Sequence, residues 1–397
     1  MMWTRRIAVA IALVLGSCTP PRQMAPASPV PTESRGPVSR EELGEAYKLG
    51  VAYLVAAQTP AGDFTYAYDW VANQVVAGDN LVRQAGAAWM LAVAYERDPA
   101  LAPAVERSLA FFDRDHGTTA DGGRYVRVPG HVSDGIGAIA LVALAELAYL
   151  RAGHGDLAEH AARLDGYIAF LLGARRSDGL LAGKYATHGG AHTGDPSPYG
   201  DGEALLALAM TARYRGRTDL RAPLAALAHA AVIGHASETK SFYQWGTMAL
   251  VELIGSGWPE FRPYAQTVFD MTDWELDVHR LVHRKSNAGY ALEGLIPAAE
   301  LARSLGDTAR ARWYARAVDR LLAKLLPLQI GGATANAFIG GHTPDHRAVG
   351  GIQSSADDPV LRIDVTQHQT HAVLQALAVS DAREAIPLEE LDRVVAP

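Results

Sequence analysis

The sequence predicts an all-α chain closed into an (α/α)6 toroid of six helical hairpins, and three observations predict it. Apolar residues recur at helical spacing from about residue 40 to near the C-terminus, and no alternating strand pattern persists beyond a few residues. The helical stretches are of two alternating kinds, six of each, so that the pair is the repeat. The links between them are alternately short and long, which gathers the long ones at one end.

Composition bounds what such a chain does. It has 397 residues, 49% hydrophobic and 20% charged, with a single Cys, which excludes disorder and a disulfide scaffold. The formal charge is −7 and no long basic run is present. A nucleic-acid binder needs clustered Lys and Arg to displace counterions from phosphates, so no nucleic-acid partner is expected.

The N-terminus reads as a targeting segment. Arg5 and Arg6 precede an apolar run, Ile7 to Leu15, too short for the ~20 residues that span a bilayer. The run ends Leu15-Gly16-Ser17-Cys18, which resembles the bacterial lipobox, where cleavage falls before a Cys that then carries lipid on its sulfur. A free Cys buried behind an ordinary signal is the alternative. The expectation is a signal peptide over 1–17, a lipidated Cys18 with a Pro- and Ser-rich tether over 18–38, and one toroid domain over 39–397. The chain would then be membrane-anchored through lipid in the cell envelope, in the periplasm or at the outer membrane.

The elements follow in order. Amphipathic, charge-bearing helices are predicted over about 41–57, 102–114, 157–174, 219–234, 260–275 and 307–326, and these suit an outer layer. Helices rich in Ala, Gly and Leu are predicted over about 80–96, 135–151, 202–214, 243–255, 288–304 and 365–379, and these suit an inner layer packed on all sides. Inner-to-outer links such as 215–218 and 305–306 are short. Most outer-to-inner links are long, at 58–79, 115–134, 175–201 and 327–364, and mark the face where inner helices begin as the mouth of a cavity. After outer helices a turn recurs. Tyr53-Leu54-x3-Gln58-x3-Gly62-x-Phe64 is echoed by Phe170-Leu171-x3-Arg175-x3-Gly179-x-Leu181, and more loosely by Leu325 to Gln329 and Gly332, with a structural role.

Candidate functional residues cluster at the inner-helix starts. Inner helix one opens Gly78-Asp79-Asn80-Leu81-Val82-Arg83-Gln84, which sets Asp79 with Arg83 and Asn80 with Gln84 on two adjacent polar stripes. Asp79 reads equally as an N-cap, whereas an inner helix has no structural need of the Arg83 guanidinium, whose fork suits a carboxylate ligand. His131 and Asp134 precede inner helix two; Asp201 and Glu203 begin inner helix three. Asp134 and Asp201 stand where caps stand. Glu203 lies beyond the cap and either completes a capping box or points into the cavity. Tyr243 and Trp245 offer stacking surface for a sugar or core packing, and Asn287 opens inner helix five. Inner helix six carries Asp364, Gln367, His368 and His371 on one face. A single helix supplies too few ligands for a metal and no His-Glu-x-x-His pattern is present, so no metal and no cofactor are expected. General acid/base work or hydrogen bonding to hydroxyls fits that face, and a buried structural network is its alternative.

Taken together, the hairpins, the Gln-x3-Gly-x-Phe turn, Asp79-Asn80-x-x-Arg83-Gln84-Ala85-Gly86, Gly202-Glu203-Ala204-Leu205-Leu206 and Arg362-Ile363-Asp364 to Gln367-His368 resemble the six-hairpin glycosidase superfamily. The resemblance covers about 41–380 and implies a saccharide-active function; with carboxylates and His at the inner-helix starts, a glycoside hydrolase or polysaccharide lyase is expected ahead of an epimerase. Asp79, Asp134, Asp201 and Asp364, read as caps, suit a base or nucleophile, which leaves Glu203 or His368 to protonate a leaving oxygen. An acidic saccharide is favoured by Arg83 and by the positive helix ends, and a monomer is expected. A glycan-binding or structural lipoprotein without chemistry is the first competing reading, and a sugar epimerase or terpenoid cyclase-like toroid the second.

Overall fold

The computed structural model describes residues 38–153 and 157–384; Cys18 and nearly all of the tether lie outside them. In chain order the helices are α1 (Arg40–Ala57), α2 (Leu81–Tyr95), α3 (Ala102–Arg114), α4 (Ile136–Ala152), α5 (Leu157–Gly173), α6 (Pro198–Arg215) and α7 (Arg221–Gly234). They continue with α8 (Thr239–Gly255), α9 (Tyr264–Asp277), α10 (Gly289–Ser304), α11 (Thr308–Leu325), the single turn α12 (Ala337–Gly340) and α13 (Ile363–Glu384). The six Ala- and Gly-rich helices pack in the cyclic order α2, α4, α6, α8, α10, α13 and back to α2. The (α/α)6 toroid is therefore closed.

Residue type explains the two layers. Every residue of α4 from Ile136 to Leu150 is buried, as is every residue of α6 from Gly200 to Ala209, and apart from Glu146, Asp201 and Glu203 these are small or apolar, as packing on all sides requires. The outer helix α11 instead buries Tyr314, Ala317, Leu321, Leu322 and Leu325 along one face and gives its Arg-rich face to solvent. Each outer helix packs most closely on the inner helix just before it, because the link between them is short: α3 on α2, α5 on α4, and so on to α11 on α10. The tight hairpin is thus inner-then-outer, and α1 is left to pack on α13, joining the two ends of the folded chain.

The long links carry three small antiparallel sheets built from short strands: β1 (Ala67–Asp69), β2 (Gln74–Val76), β3 (His116–Thr118), β4 (Arg124–Val126), β5 (Ser133–Gly135), β6 (Lys184–Ala186), β7 (His192–Thr193) and β8 (Val360–Arg362). Their orders are β2-β1-β8, β3-β4 and β5-β6-β7. The first matters most for position, since pairing Ala67 with Arg362 ties the first long loop to the start of α13.

The recurring turn cross-links the outer layer. Gln58 pairs with Phe64 across the turn, and its Nε2 donates to the Ala104 carbonyl at 2.8 Å and to Ser108 Oγ at 2.7 Å, fastening α1 to α3. Gly62 takes φ +99°, and a Cβ there would stand 2.1 Å from the Arg107 carbonyl oxygen, so only glycine lets the turn reach α3. Gln329 donates in the same way to the Ala46 carbonyl of α1, but its bridge partner is Ile352, far beyond Gly332, so the third echo is looser than its sequence suggests.

Two inner helices start earlier than their sequences indicate. α6 begins at Pro198, capped by Ser197, four residues before Gly202, and α8 begins at Thr239 rather than Tyr243. Proline is preorganised for the first helical position, so Ser197-Pro198 is a start signal that the following glycines obscure. Cap assignments change with it. The α2 cap is Asn80, Asp79 lies one residue outside it, Asp201 sits inside the first turn of α6, and Asp364 is the second residue of α13.

Candidate active site

The first two turns of all six inner helices line one open cavity of about 610 Å³. From α2 come Asn80 and Arg83, from α6 Tyr199 and Glu203, from α8 Gln244 and Trp245, from α10 Tyr290, and from α13 Asp364, Gln367 and His368. Asn287, Arg284 and Arg362 approach from the segments just before α10 and α13.

Glu203 is a buried carboxyl in the wall of this cavity. It is 5% exposed, no described residue offers its carboxyl an ion pair or a hydrogen bond, and burial pushes its pKa up to about 8. Its Oε2 lies where a Cβ on Gly137 of α4 would stand, only 1.7 Å away, so the carboxyl occupies space that a bare backbone leaves open. At neutral pH this group holds its proton.

His368 is the base. It sits on α13, three steps around the ring from α6 in either direction, so His368 and Glu203 belong to diametrically opposed helices of the wall. Its Nδ1 lies 2.8 Å from Oε2 of Glu293, and Nδ1 of His371 lies 2.6 Å from Oε1 of the same carboxylate. Glu293, on α10, is fully buried. Burial alone pushes its pKa up, but the two imidazoles bonded to it outweigh that and hold it below the ordinary value. An ionised Glu293 accepts Nδ1–H from His368, which leaves Nε2 of that ring as the basic nitrogen. Trp245 flanks it, ring centroids 5.9 Å apart, and Trp89 packs against His371 at 4.6 Å with the rings tilted by 58°.

Asp364 is tied to two cations. Arg362 grips it through Nε at 3.0 Å and Nη2 at 2.9 Å, and Arg83 Nε lies 3.3 Å from its Oδ2 while also bonding the Tyr66 hydroxyl. Both oxygens of this carboxylate are thereby committed to guanidinium N–H groups.

Of the charged candidates at the inner-helix starts, Arg83, Glu203, Asp364 and His368 line the cavity, whereas Asp79 and Asp134 do not reach its wall. Asp79 turns back to accept from the Asn80 amide and from Gln84 Nε2, both at 2.7 Å, while Gln84 exchanges two bonds with the Phe64 backbone. This pair pins the first long loop. Asp134 lies on β5 and is bonded to Nδ1 of the half-exposed His131 at 2.9 Å. Asp201 is buried between the Leu181 amide at 2.9 Å and His235 Nε2 at 2.7 Å, and the Tyr243 hydroxyl points to Thr272 on α9, between the layers. Asn80 caps α2, and Asn287 spends its amide nitrogen on the Gln353 carbonyl and Gln369. Gln367 differs in having a buried Nε2 with no partner among the described residues.

Glu293, Arg284 and Tyr290 are missed by sequence reasoning. The signal for Glu293 is one carboxylate inside the apolar run Ala291-Leu292-Glu293-Gly294-Leu295, but Glu146 of α4 shows the same pattern and only pairs with His160 at 2.5 Å. Among the described residues no group of three or more His, Cys, Asp or Glu is placed to hold a metal ion, and no helix is long and apolar enough to cross a membrane.

No protein-family model and no curated protein sequence matches the chain. Solved structures do match it in shape. Cellobiose 2-epimerase from Bacillus thermoamylovorans superposes with TM-score 0.61 at 12% identity, covering 86% of this chain and 99% of that one. A D-mannose isomerase superposes with TM-score 0.60 at 12% identity, covering 86% and 98%. The GH76 α-mannanase BT2949 of Bacteroides thetaiotaomicron superposes with TM-score 0.58 at 7% identity, covering 86% and 97%. Identities this low speak for architecture alone. The chain shares the (α/α)6 toroid fold of these structures.

Proposed function

We propose that the protein is a saccharide-active enzyme that transfers a proton at a sugar carbon, an epimerase- or isomerase-type activity. The observation that carries this reading is the pairing of a neutral, partnerless Glu203 with a Glu293-oriented His368 on opposed helices of one cavity. Nε2 of His368 takes the proton from a carbon next to a carbonyl or carboxylate, and the electron pair moves into that group as an enolate. Glu203 then gives its proton to the opposite face of the same carbon, which inverts it. His368 ends protonated and Glu203 ionised, and proton exchange with solvent resets them.

Hydrolysis by two carboxyl groups, the arrangement expected first, finds less support. Asp79, Asp134 and Asp201 stand away from the cavity, and Asp364, the carboxylate that does face it with Glu203, is held by two guanidiniums. Two of the three similar toroids, an epimerase and an isomerase of sugars, agree with proton transfer, while the third is a mannanase. We assign the activity to the bacterial envelope on the strength of Arg5, Arg6, the run from Ile7 to Leu15 and Cys18.

The test is incubation of the body from Val38 onward in D2O with neutral and acidic mono- and disaccharides. Deuterium gained at one carbon, together with a new epimer or ketose, is the expected result. Release of a free reducing end without carbon-bound deuterium would return the reading to hydrolysis. An ultraviolet-absorbing unsaturated product would point to elimination by the same two groups.

A further inference from the structure

Cations outnumber anions around the cavity, and one of them is unneutralised. Arg83 and Arg362 share the single carboxylate of Asp364. Arg284, between α9 and α10, lines the same cavity, and no described carboxylate forms an ion pair with it. Its guanidinium lies 5.5 Å from the Tyr290 ring centroid and bonds the Tyr290 hydroxyl through Nη1, which leaves Nε and Nη2 uncommitted. The carboxyl that feels its charge, Glu275 on α9, is buried with neither oxygen hydrogen-bonded, and burial raises it to about 7.

The backbone at Arg284 is held as firmly as its side chain. Lys324 of α11 donates to the Arg284 carbonyl oxygen, and Arg280, four residues earlier, takes the left-handed conformation at φ 54°, which is strained for a non-glycine residue. A strained turn and an outer-layer lysine thus fix a guanidinium at the mouth of a sugar-sized cavity.

We infer that the sugar taken by this site carries a carboxylate, a uronic acid or its glycoside, and that Arg284 reads it. This rests on the saccharide reading above. A planar monoanion fits what is on offer, because a guanidinium with two free N–H groups binds a carboxylate in a bidentate fork. A phosphate dianion fits less well, since Asp364 already occupies the Arg83–Arg362 fork and would repel it. The unpartnered Nε2 of Gln367 supplies a donor for a ring hydroxyl.

The experiment is titration calorimetry of the body in the Glu203→Gln background, which stops turnover. The probes are D-glucuronate and digalacturonate against D-glucose and cellobiose. The acidic sugars should bind more tightly and lose affinity as salt is added. Arg284→Gln should weaken them about 10- to 100-fold, the range for one charged hydrogen-bonding group, while neutral sugars change by less than about twofold. Arg284→Lys, which keeps the charge and loses the fork, should fall between. The inference is overturned if none of the four binds, if neutral sugars bind as tightly as acidic ones, if Arg284→Gln weakens both alike, or if glucose 6-phosphate is preferred to glucuronate. Uronate binding that depends on Arg284, without deuterium exchange by the unsubstituted body, would sink the proposed reaction and leave this inference standing. Exchange confined to neutral sugars would do the reverse.

Discussion

Glu203 and Glu293 are the same side chain at similar burial in opposite protonation states, and the difference lies in their partners. Glu293 meets two imidazole N–H groups and the Gln244 amide; Glu203 meets the bare backbone of Gly137. The consequence for stability has a definite sign. The folded chain keeps the Glu203 proton up to about pH 8, whereas an unfolded carboxyl releases it above about 4.5, so stability falls as pH rises across that interval. Glu203→Gln removes the penalty. Thermal or denaturant unfolding should show the variant more stable by about 3–5 kcal/mol at pH 8 and above, with the gap closing near pH 4. Turnover should fall ~10²–10⁴-fold, and the alkaline limb of the native pH profile, near pH 8, should disappear. Glu293→Gln should act oppositely on stability, lowering it by about 1–3 kcal/mol because two buried N–H donors then face an amide. A Glu203→Gln protein that is less stable than the native chain at pH 8 would show that its carboxyl is ionised and paired in the fold.

At the scale of elements, the site depends on how closely α4 and α6 approach. Adding one methyl at Gly137 would force Glu203 out of its present position, because the new Cβ and Oε2 cannot share 1.7 Å. Gly137→Ala should therefore lower kcat by about 10²-fold, the effect of a catalytic group misplaced by about 1 Å, with a smaller change in KM. An unchanged kcat would show that Glu203 reaches its substrate from another rotamer. The helices themselves are legible in the sequence, since a 3.6-residue period and alternating charge are properties of local segments. The starts of α6 and α8 are not, because Tyr199-Gly200-Asp201-Gly202 reads as a loop until packing makes it helical. For the same reason Asp201 looks like a cap when it is a buried link to Leu181 and His235. Within the site, Arg83, Glu203, Asp364 and His368 were legible as polar residues at the starts of apolar helices. Glu293 was not, because a lone carboxylate in a buried helix looks the same whether it orients a catalytic imidazole or, like Glu146, pairs within the scaffold.

At the scale of the whole molecule two matters belong to no single hairpin, the proposed lipid anchor and the closure of the ring. The anchor is tested simply: Cys18→Ser should abolish detergent-phase partitioning of the expressed protein, since only the sulfur accepts the diacylglyceryl group, and persistent partitioning would remove the lipobox reading. Closure is a property of the two ends of the folded chain. Helix α1 buries Leu43, Ala46, Val51, Tyr53 and Leu54, packs on α13, and accepts the Gln329 side chain at the Ala46 carbonyl. The β1–β8 pairing completes the seam, and the Gly350 backbone lies against Leu49. Each large apolar side chain of α1 contributes about 1.5–3 kcal/mol by burial, so losing four of them removes an amount comparable to the 5–15 kcal/mol that hold an average domain folded. A chain begun at Gln58, with α1 absent, should fail to unfold cooperatively and should expose the apolar face of α13 to a hydrophobic dye. A chain begun at Val38 should melt in one transition. If the shorter chain also melts cooperatively, with a midpoint within a few degrees of the longer one, then α1 is an accessory and the inner ring of six helices holds itself closed.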